Sequence, residues 1–300
     1  MTQLGTEPGR MAPFVTVSVG VPVHNGASSI LDSLKSLARQ SFADVEFVIF
    51  ENASTDGTRE IVEEFCRTDS RFRCEPSDRL LPVIENFSRA RRFLAGRSKY
   101  IFLLAADDAI NDHFLTHAVA SMEAVPGAAL VVPRVASKLD REHFHVVNAD
   151  VLDLRNFGRF RRSFRQIAFP PSWFYGLYRS DVAQSRIDEA YRLFPDTWGG
   201  DRMIVLMFLL RGEIVQSEGS EIYVIPNPKS KQVYGPKTAG QMLRARVAYF
   251  RALWGKRGIL PLDGPFARVA YFLLCWKTSE AHTTHRWNRI LGRWIRGPLP

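Results

Sequence analysis

Asp107 and Asp108 are adjacent carboxylates at the end of Tyr100-Ile-Phe-Leu-Leu-Ala-Ala106. That run is aromatic and aliphatic without alternation, the pattern of a short strand buried on both faces. Two neighbouring carboxylates at the C-terminal end of such a strand repel each other and lose solvation. A hard divalent cation, Mg²⁺ or Mn²⁺, that bridges them to a phosphate relieves both penalties. The competing reading is that one of the pair caps the helix expected from Asn111 onward. Two further polar turns follow apolar runs in the same way, Pro22-Val-His-Asn25 and Glu51-Asn-Ala-Ser-Thr-Asp56. In open α/β sheets, ligands bind beyond the C-terminal ends of the strands.

The elements that must position these turns can be read in order. Phe14–Val23 and Val45–Phe50 read as strands, and Ile30–Gln40 reads as a helix behind a Ser28-Ser29 cap. A helix over Thr58–Arg67 is expected behind a cap at Ser54 or Thr55. A short strand at Phe72–Glu75, a helix over Val83–Leu94 and the strand Tyr100–Leu104 follow. A helix over His113–Ala124 stops at Pro126-Gly127, and Ala128–Val132 is another buried strand. This alternation predicts an α/β, Rossmann-like, mostly parallel sheet flanked by helices. Residues 133–165 read as irregular and increasingly basic. The aromatic segment Pro170–Arg179, a helix containing Val182 and Ile187, the apolar helix Met203–Leu210 and an edge strand over Glu221–Ile225 complete the second half. Residues 239–300 read as two or three helices. The expected division is therefore a tail over 1–13, a first half over 14–132, a second over 133–238 and a helical C-terminal region over 239–300.

Composition sets the outer bounds. An apolar fraction of 46% and a charged fraction of 24% over 300 residues are those of a globular chain with a sizeable core. Cys66, Cys74 and Cys275 lack metal-ligand spacing, which fits a reducing, cytoplasmic compartment. Residues 1–12 carry no apolar h-region, and no apolar run approaches the ~20 residues of a membrane span. The net charge of +9 and pI of about 9.7 suit a polyanionic partner. No nucleic-acid-binding motif accompanies that charge, so nucleic acid is not expected as a partner.

Three stretches together resemble the nucleotide-sugar-binding half of family 2 glycosyltransferases, inverting enzymes of GT-A fold. Val19-Gly-Val-Pro-Val-His-Asn25 is similar to the family's first strand and Pro-x-Tyr-Asn turn. Val48-Ile-Phe-Glu-Asn-Ala-Ser-Thr-Asp-Gly-Thr58 is similar to its Asp-Asp-Gly-Ser-Thr-Asp-Gly-Thr loop, and Leu104-Ala-Ala-Asp-Asp108 to its Leu-Asp-x-Asp-Asp metal motif. Trp173–Arg179 and Gly199-Gly-Asp-Arg202 resemble its acceptor-side segments. The resemblance implies transfer of a sugar from a nucleotide-diphosphate-sugar donor to a hydroxyl of a saccharide, lipid-linked or small-metabolite acceptor, as in polysaccharide biosynthesis. It places Pro22, Val23, His24 and Asn25 in the turn against the base and ribose, with Glu51 accepting a hydrogen bond from the base. It places Asn86 near the nucleotide, Asp107 on the metal with Asp108 beside it, and Asp201 as the base that deprotonates the acceptor. Ala105 stands where the family carries its first metal-motif acid, and His24 where it carries tyrosine.

Each role has a plainer alternative. Glu51 could bond local amides, Asp56 reads better as a turn or cap residue, and Asp196 competes with Asp201 as base. The tryptophans and Tyr175 read as core, although Trp198 could stack on a sugar. No histidine follows the last expected strand; Asn227–Lys237 offers Lys229, Lys231 and Tyr234 instead, with the lysines expected against the diphosphate. Phe266–Trp294 interleaves aromatic, aliphatic and basic residues. That pattern fits either a packed helix with a solvated basic face or peripheral contact with the inner face of an anionic membrane. The rival functions are sugar-phosphate nucleotidyl transfer, which lacks its usual Gly-rich loop here, and non-enzymatic nucleic-acid binding.

Overall fold

The computed structural model describes residues 14–138, 144–147, 169–225, 233–259 and 265–283. Strand β1 (Val15–Val23) is valine-rich, and seven of its nine residues are buried. Such β-branched residues suit a pleated, enclosed surface. Helix α1 (Ile30–Ala38) turns Ile30, Leu34 and Leu37 inward and returns the chain to β2 (Val45–Glu51), parallel to β1. Helix α2 (Thr58–Thr68) leads to β3 (Phe72–Cys74), parallel to β2. Helix α3 (Val83–Leu94) leads to β4 (Ser98–Leu103), parallel to the other side of β1. The ends of β1, β2 and β4 therefore open on one edge, which puts the three polar turns together.

The second half extends the same sheet. It comprises β5 (Ala109–Ile110), helix α4 (Phe114–Ala124), β6 (Leu130–Lys138), β7 (Phe144–Val147) and β8 (Leu177–Arg179). Helices α5 (Ser180–Leu193) and α6 (Thr197–Arg211), strand β9 (Ile214–Val224) and helices α7 (Ala239–Trp254) and α8 (Pro265–Thr283) follow. The strand order is β3-β2-β1-β4-β8-β6-β9-β5, with β7 on β6.

Three features depart from the sequence reading. Strand β8 wedges between β4 and β6, antiparallel to both, so the sheet is parallel in its first half and mixed beyond. Three residues are too few to announce a strand, but Gly176 just before it has no side chain to press on the Val131 carbonyl. Strand β6 continues to Lys138 where irregular chain was expected from Pro133, and its ladder with β9 shifts register between Pro133 and Arg134. A proline in a sheet interior belongs at such an irregularity. The expected edge strand Glu221–Ile225 is the end of β9, which lies inside the sheet between β6 and β5. The basic cluster of Arg155, Arg159, Arg161, Arg162 and Arg165 lies outside the described residues, as do Lys229, Lys231 and residues 284–300.

Candidate active site

The turn after β1 is shaped by the loop after β2. Asn25 takes a left-handed φ of 51°, which asparagine tolerates better than most residues. Its side-chain oxygen accepts from the Thr55 amide at 2.9 Å, and its own amide donates to Ser54 Oγ at 3.0 Å. The amides of Gly26 and Ala27 donate to Thr58 Oγ1 and Asp56 Oδ2 at 2.9 and 3.1 Å. His24 Nδ1 lies 2.9 Å from the Asn52 carbonyl oxygen. Ser-Thr-Asp-Gly-Thr58 is thus a clamp on residues 25–27, with His24 held by Asn52. It does not cap α2 from Ser54 or Thr55, because the N-cap is Gly57 at φ 88°.

Glu51 ends β2 fully buried. Its Oε1 accepts from the Ser54 amide at 2.6 Å, while Oε2 is buried without a partner. Asn86, on α3, donates from Nδ2 to the Phe50 carbonyl at 3.3 Å, and its Oδ1 is also buried without a partner. Unpaired buried acceptors cost of order 1–3 kcal/mol. Two of them, tied to consecutive residues of β2, invite a donor such as a nucleobase N–H. Pro22 and Val23 are buried members of β1, paired with Phe50 and Glu51, whereas His24 and Asn25 are exposed.

Asp107 and Asp108 lie in the turn between β4 and β5. The Asp108 amide donates to the Ala105 carbonyl, and Asp108 Oδ1 accepts from the Ile225 amide at 3.1 Å. The Asp108 bond ties the carboxylate pair to the end of β9 rather than to α4. The N-cap of α4 is His113, so neither aspartate caps that helix. Burial, and then the neighbouring Asp107 charge, pushes the Asp108 carboxyl up to about 7. Burial alone raises Asp107.

Asp201 arrives from the other side. Asp196 caps α6 by accepting from the Trp198 amide at 3.1 Å. The helix then breaks at Trp198 and Gly199, where Gly199 has φ 91°. Asp201 stands just beyond the break, with Oδ1 accepting from the Arg202 amide at 2.7 Å. It is therefore not the helix cap. A Cβ added at Gly200 would meet nothing within 4 Å, so of the two adjacent glycines only Gly199 is needed, for its backbone angle. Met203–Leu210 behind it is buried on every side, which fixes the helix in the core. Burial raises the Asp201 carboxyl above the ordinary range, and the Arg202 charge opposes the rise.

A cavity of about 500 Å³ brings Asp107, Asp108 and Asp201 together. Val83, Ile84 and Phe87 of α3 form its apolar wall, and Ala105, Trp198 and Tyr234 also line it. Pro22, Val23, His24, Asn25, Glu51 and Asn86 lie outside its lining and form the separate cluster at the ends of β1 and β2. Two lining residues escaped the sequence reading. Tyr175 was read as core, yet its hydroxyl feels Asp108, Asp107 and Asp201 together and is held neutral by burial. Arg202 lines the cavity with its Nε buried and unpartnered. Its only sequence signal was its place beside Asp201.

Asp107 and the free oxygen of Asp108 suit a hard cation, and both carboxyls suffer from being desolvated side by side. Among the described residues, no cluster of three or more His, Cys, Asp or Glu could hold a metal. The residues therefore fit a cation that takes its remaining ligands from phosphate and water, as Mg²⁺ commonly does.

This arrangement is that of a GT-A glycosyltransferase. S. aureus TarS 1–349 in complex with UDP-GlcNAc matches with a TM-score of 0.66 at 17% identity, over 93% of this chain and 76% of that one. TarS 1–349 in complex with UDP gives 0.56 at 16% identity, over 93% and 92%. The longer S. aureus TarS structure gives 0.55 at 16%, over 88% of this chain and 55% of that one. The chain belongs to glycosyl transferase family 2: that family's model matches residues 18–185, more than half of it. That family is one of glycosyl transferases. Glycosyltransferase GlyG of Streptococcus pneumoniae serotype 4 (strain ATCC BAA-334 / TIGR4) is 20% identical over 99 residues, 33% of this chain and 32% of that protein. The chain thus matches about a third of that relative's length. Among the described residues, no helix is long and apolar enough to cross a membrane.

Proposed function

We propose that the protein is a metal-dependent, inverting glycosyltransferase that uses a nucleotide-diphosphate-sugar and glycosylates a hydroxyl of a saccharide, lipid-linked or small-metabolite acceptor. The observation that carries the reading is the cavity that sets Asp201 opposite Asp107 and Asp108. In this reading residues 14–132 hold the donor, 133–238 receive the acceptor, and the chain works in the cytoplasm, with peripheral contact at an anionic membrane. Glu51 Oε2 and Asn86 Oδ1 accept from the base, and the clamped turn Pro22–Asn25 backs the nucleoside. UDP-GlcNAc bound to TarS supports a nucleotide sugar as donor.

Asp107 and Asp108 would hold the cation. When bound, it neutralises the charge that grows on the leaving diphosphate. The acceptor hydroxyl attacks the anomeric carbon from the Asp201 side and its proton passes to the Asp201 carboxylate. The bond to the diphosphate oxygen breaks, and its electron pair leaves with the nucleoside diphosphate. One displacement inverts the anomeric centre. The raised Asp201 carboxyl is a stronger base than an exposed aspartate. Trp198 and Tyr175 wall the space in which the sugar is held.

Asp201→Asn should lower turnover by about 10²–10⁴-fold, the usual worth of a general base. The thermal shift produced by donor and Mn²⁺ should survive the substitution. Turnover within threefold of the unmodified enzyme would remove Asp201 from the role.

A further inference from the structure

The net positive charge of this chain arises in one region. Residues 239–300 contain eleven Lys and Arg against two Asp and Glu. Their excess of nine equals the net charge of the whole chain, so residues 1–238 are formally neutral. A basic surface meant for the donor diphosphate would not be placed on the C-terminal helices.

The same region exposes apolar side chains in an ordered way. Helices α7 and α8 pack on each other through the rings of Phe250 and Trp254 on α7 and of Tyr271, Phe272 and Trp276 on α8, the last two remaining about half exposed, and the Tyr271 hydroxyl donates to the Leu253 carbonyl at 2.6 Å. That inner face accounts for Tyr271, Leu274 and Cys275, all buried. The other stripe of α8, Val269, Phe272, Leu273 and Trp276, has the i, i+3, i+4, i+7 spacing of one helix face. These side chains are 58%, 43%, 42% and 48% exposed. Leu243 and Val247 of α7 are exposed as well. Exposed Arg251 continues the Leu243–Val247 line, and exposed Arg268 begins the Phe272–Trp276 line. Arg246 stacks over the Trp276 ring at 4.1 Å, which keeps a cation beside the aromatic face. Aromatic and aliphatic side chains bordered by arginines, with Glu280 the single carboxylate in the sequence of the two helices, match the interface of an anionic bilayer. A protein partner or a second copy would bring this surface against its own like charges unless it were strongly acidic.

We propose that the exposed face of α7 and α8 docks on an anionic membrane surface, with Phe272 and Trp276 entering the headgroup layer and Arg251 and Arg268 meeting lipid phosphates. The inference rests on the peripheral contact of the proposed function and names the surface that makes it, while its test is independent of the catalytic chemistry. A second cavity of about 690 Å³ shares Asp196, Thr197 and Tyr234 with the catalytic one and reaches Gln241, Arg244 and Ala248 of α7. The cavity that holds Asp201 thus adjoins one that reaches the helix proposed to meet the bilayer, an arrangement that suits an acceptor borne on a lipid.

Sedimentation of the full chain with vesicles tests this without any donor or acceptor. Vesicles of phosphatidylglycerol and phosphatidylcholine should bind it at least about tenfold more tightly than phosphatidylcholine alone, and high salt should erase the difference. Phe272→Ser with Trp276→Ser, and separately Arg251→Glu with Arg268→Glu, should each weaken binding about tenfold or more. The arginine pair should leave the melting temperature and the donor-induced thermal shift unchanged, which guards against misfolding of the aromatic pair, whose rings also contact Phe250 and Trp254 of α7. Equal binding to both vesicle types, or no binding, would overturn the proposal. So would a vesicle-free dimer that the Phe272→Ser, Trp276→Ser pair dissolves, because the face would then belong to a second copy.

Discussion

At Glu51 one carboxylate oxygen is held by the Ser54 amide and the other is buried with nothing to accept from. Glu51→Gln keeps the size and an acceptor for Ser54 but removes the charge. Donor affinity should fall about 10–100-fold, in line with the ~1.5–3 kcal/mol of a charged hydrogen bond. Calorimetric titration checks this, and unchanged affinity would leave Glu51 a local amide binder. Asp201 makes a pH prediction with a definite sign. Burial raises its carboxyl, so the proton leaves above the ordinary aspartate range of about 3.9. Only the ionised form can act as base, so kcat/KM should fall as pH drops through that raised value and level off above it. Arg202 opposes the rise, so Arg202→Gln should move the acid limb to higher pH. A limb that stays put would mean that another group sets it.

At the scale of the element, helix α6 shows how a local break aims a side chain. The left-handed φ of Gly199 costs an L-residue about 1–2 kcal/mol. Gly199→Ala should lower the melting temperature by a few degrees and turnover at least about tenfold, by misplacing Asp201. Gly200→Ala should leave the melting temperature unchanged, since its added methyl meets only the open space of the cavity that it lines. An equal loss of melting temperature in the two variants would contradict this account of the kink. The two adjacent glycines were visible in the sequence as a break before an apolar run. Which one carries the angle was not, because that depends on how Asp196 caps the helix. Long periodic elements such as α3 were legible to the residue, since their spacing alone decides which face is buried. Strand β8 was not: three residues hold no periodicity, and its place is set by β4 and β6, both distant in sequence.

Over the whole molecule, the family resemblance implied that the carboxylates at 107, 108 and 201 serve one reaction, but residue spacing could not show how the chain brings them to one cavity. That convergence is made by β9 returning to Asp108 and by α6 crossing to face it. Tyr175 and Arg202 escaped notice for the same reason, since an aromatic cluster and a residue after an aspartate carry no signal until the cavity closes around them. The charge distribution was fully present in the sequence, but its meaning needed the exposed stripe of α8. A formally neutral catalytic body joined to a basic, aromatic-faced helix pair separates chemistry from location. Direct titration of UDP-, GDP-, CDP- and dTDP-sugars with Mn²⁺ into the unmodified chain and into Asp107→Ala tests the central claim. The account expects one donor class to bind the unmodified chain only when the metal is present, and expects that binding to be lost in the variant. Donor binding that ignores both the metal and Asp107, or that is absent for the whole panel, would contradict it.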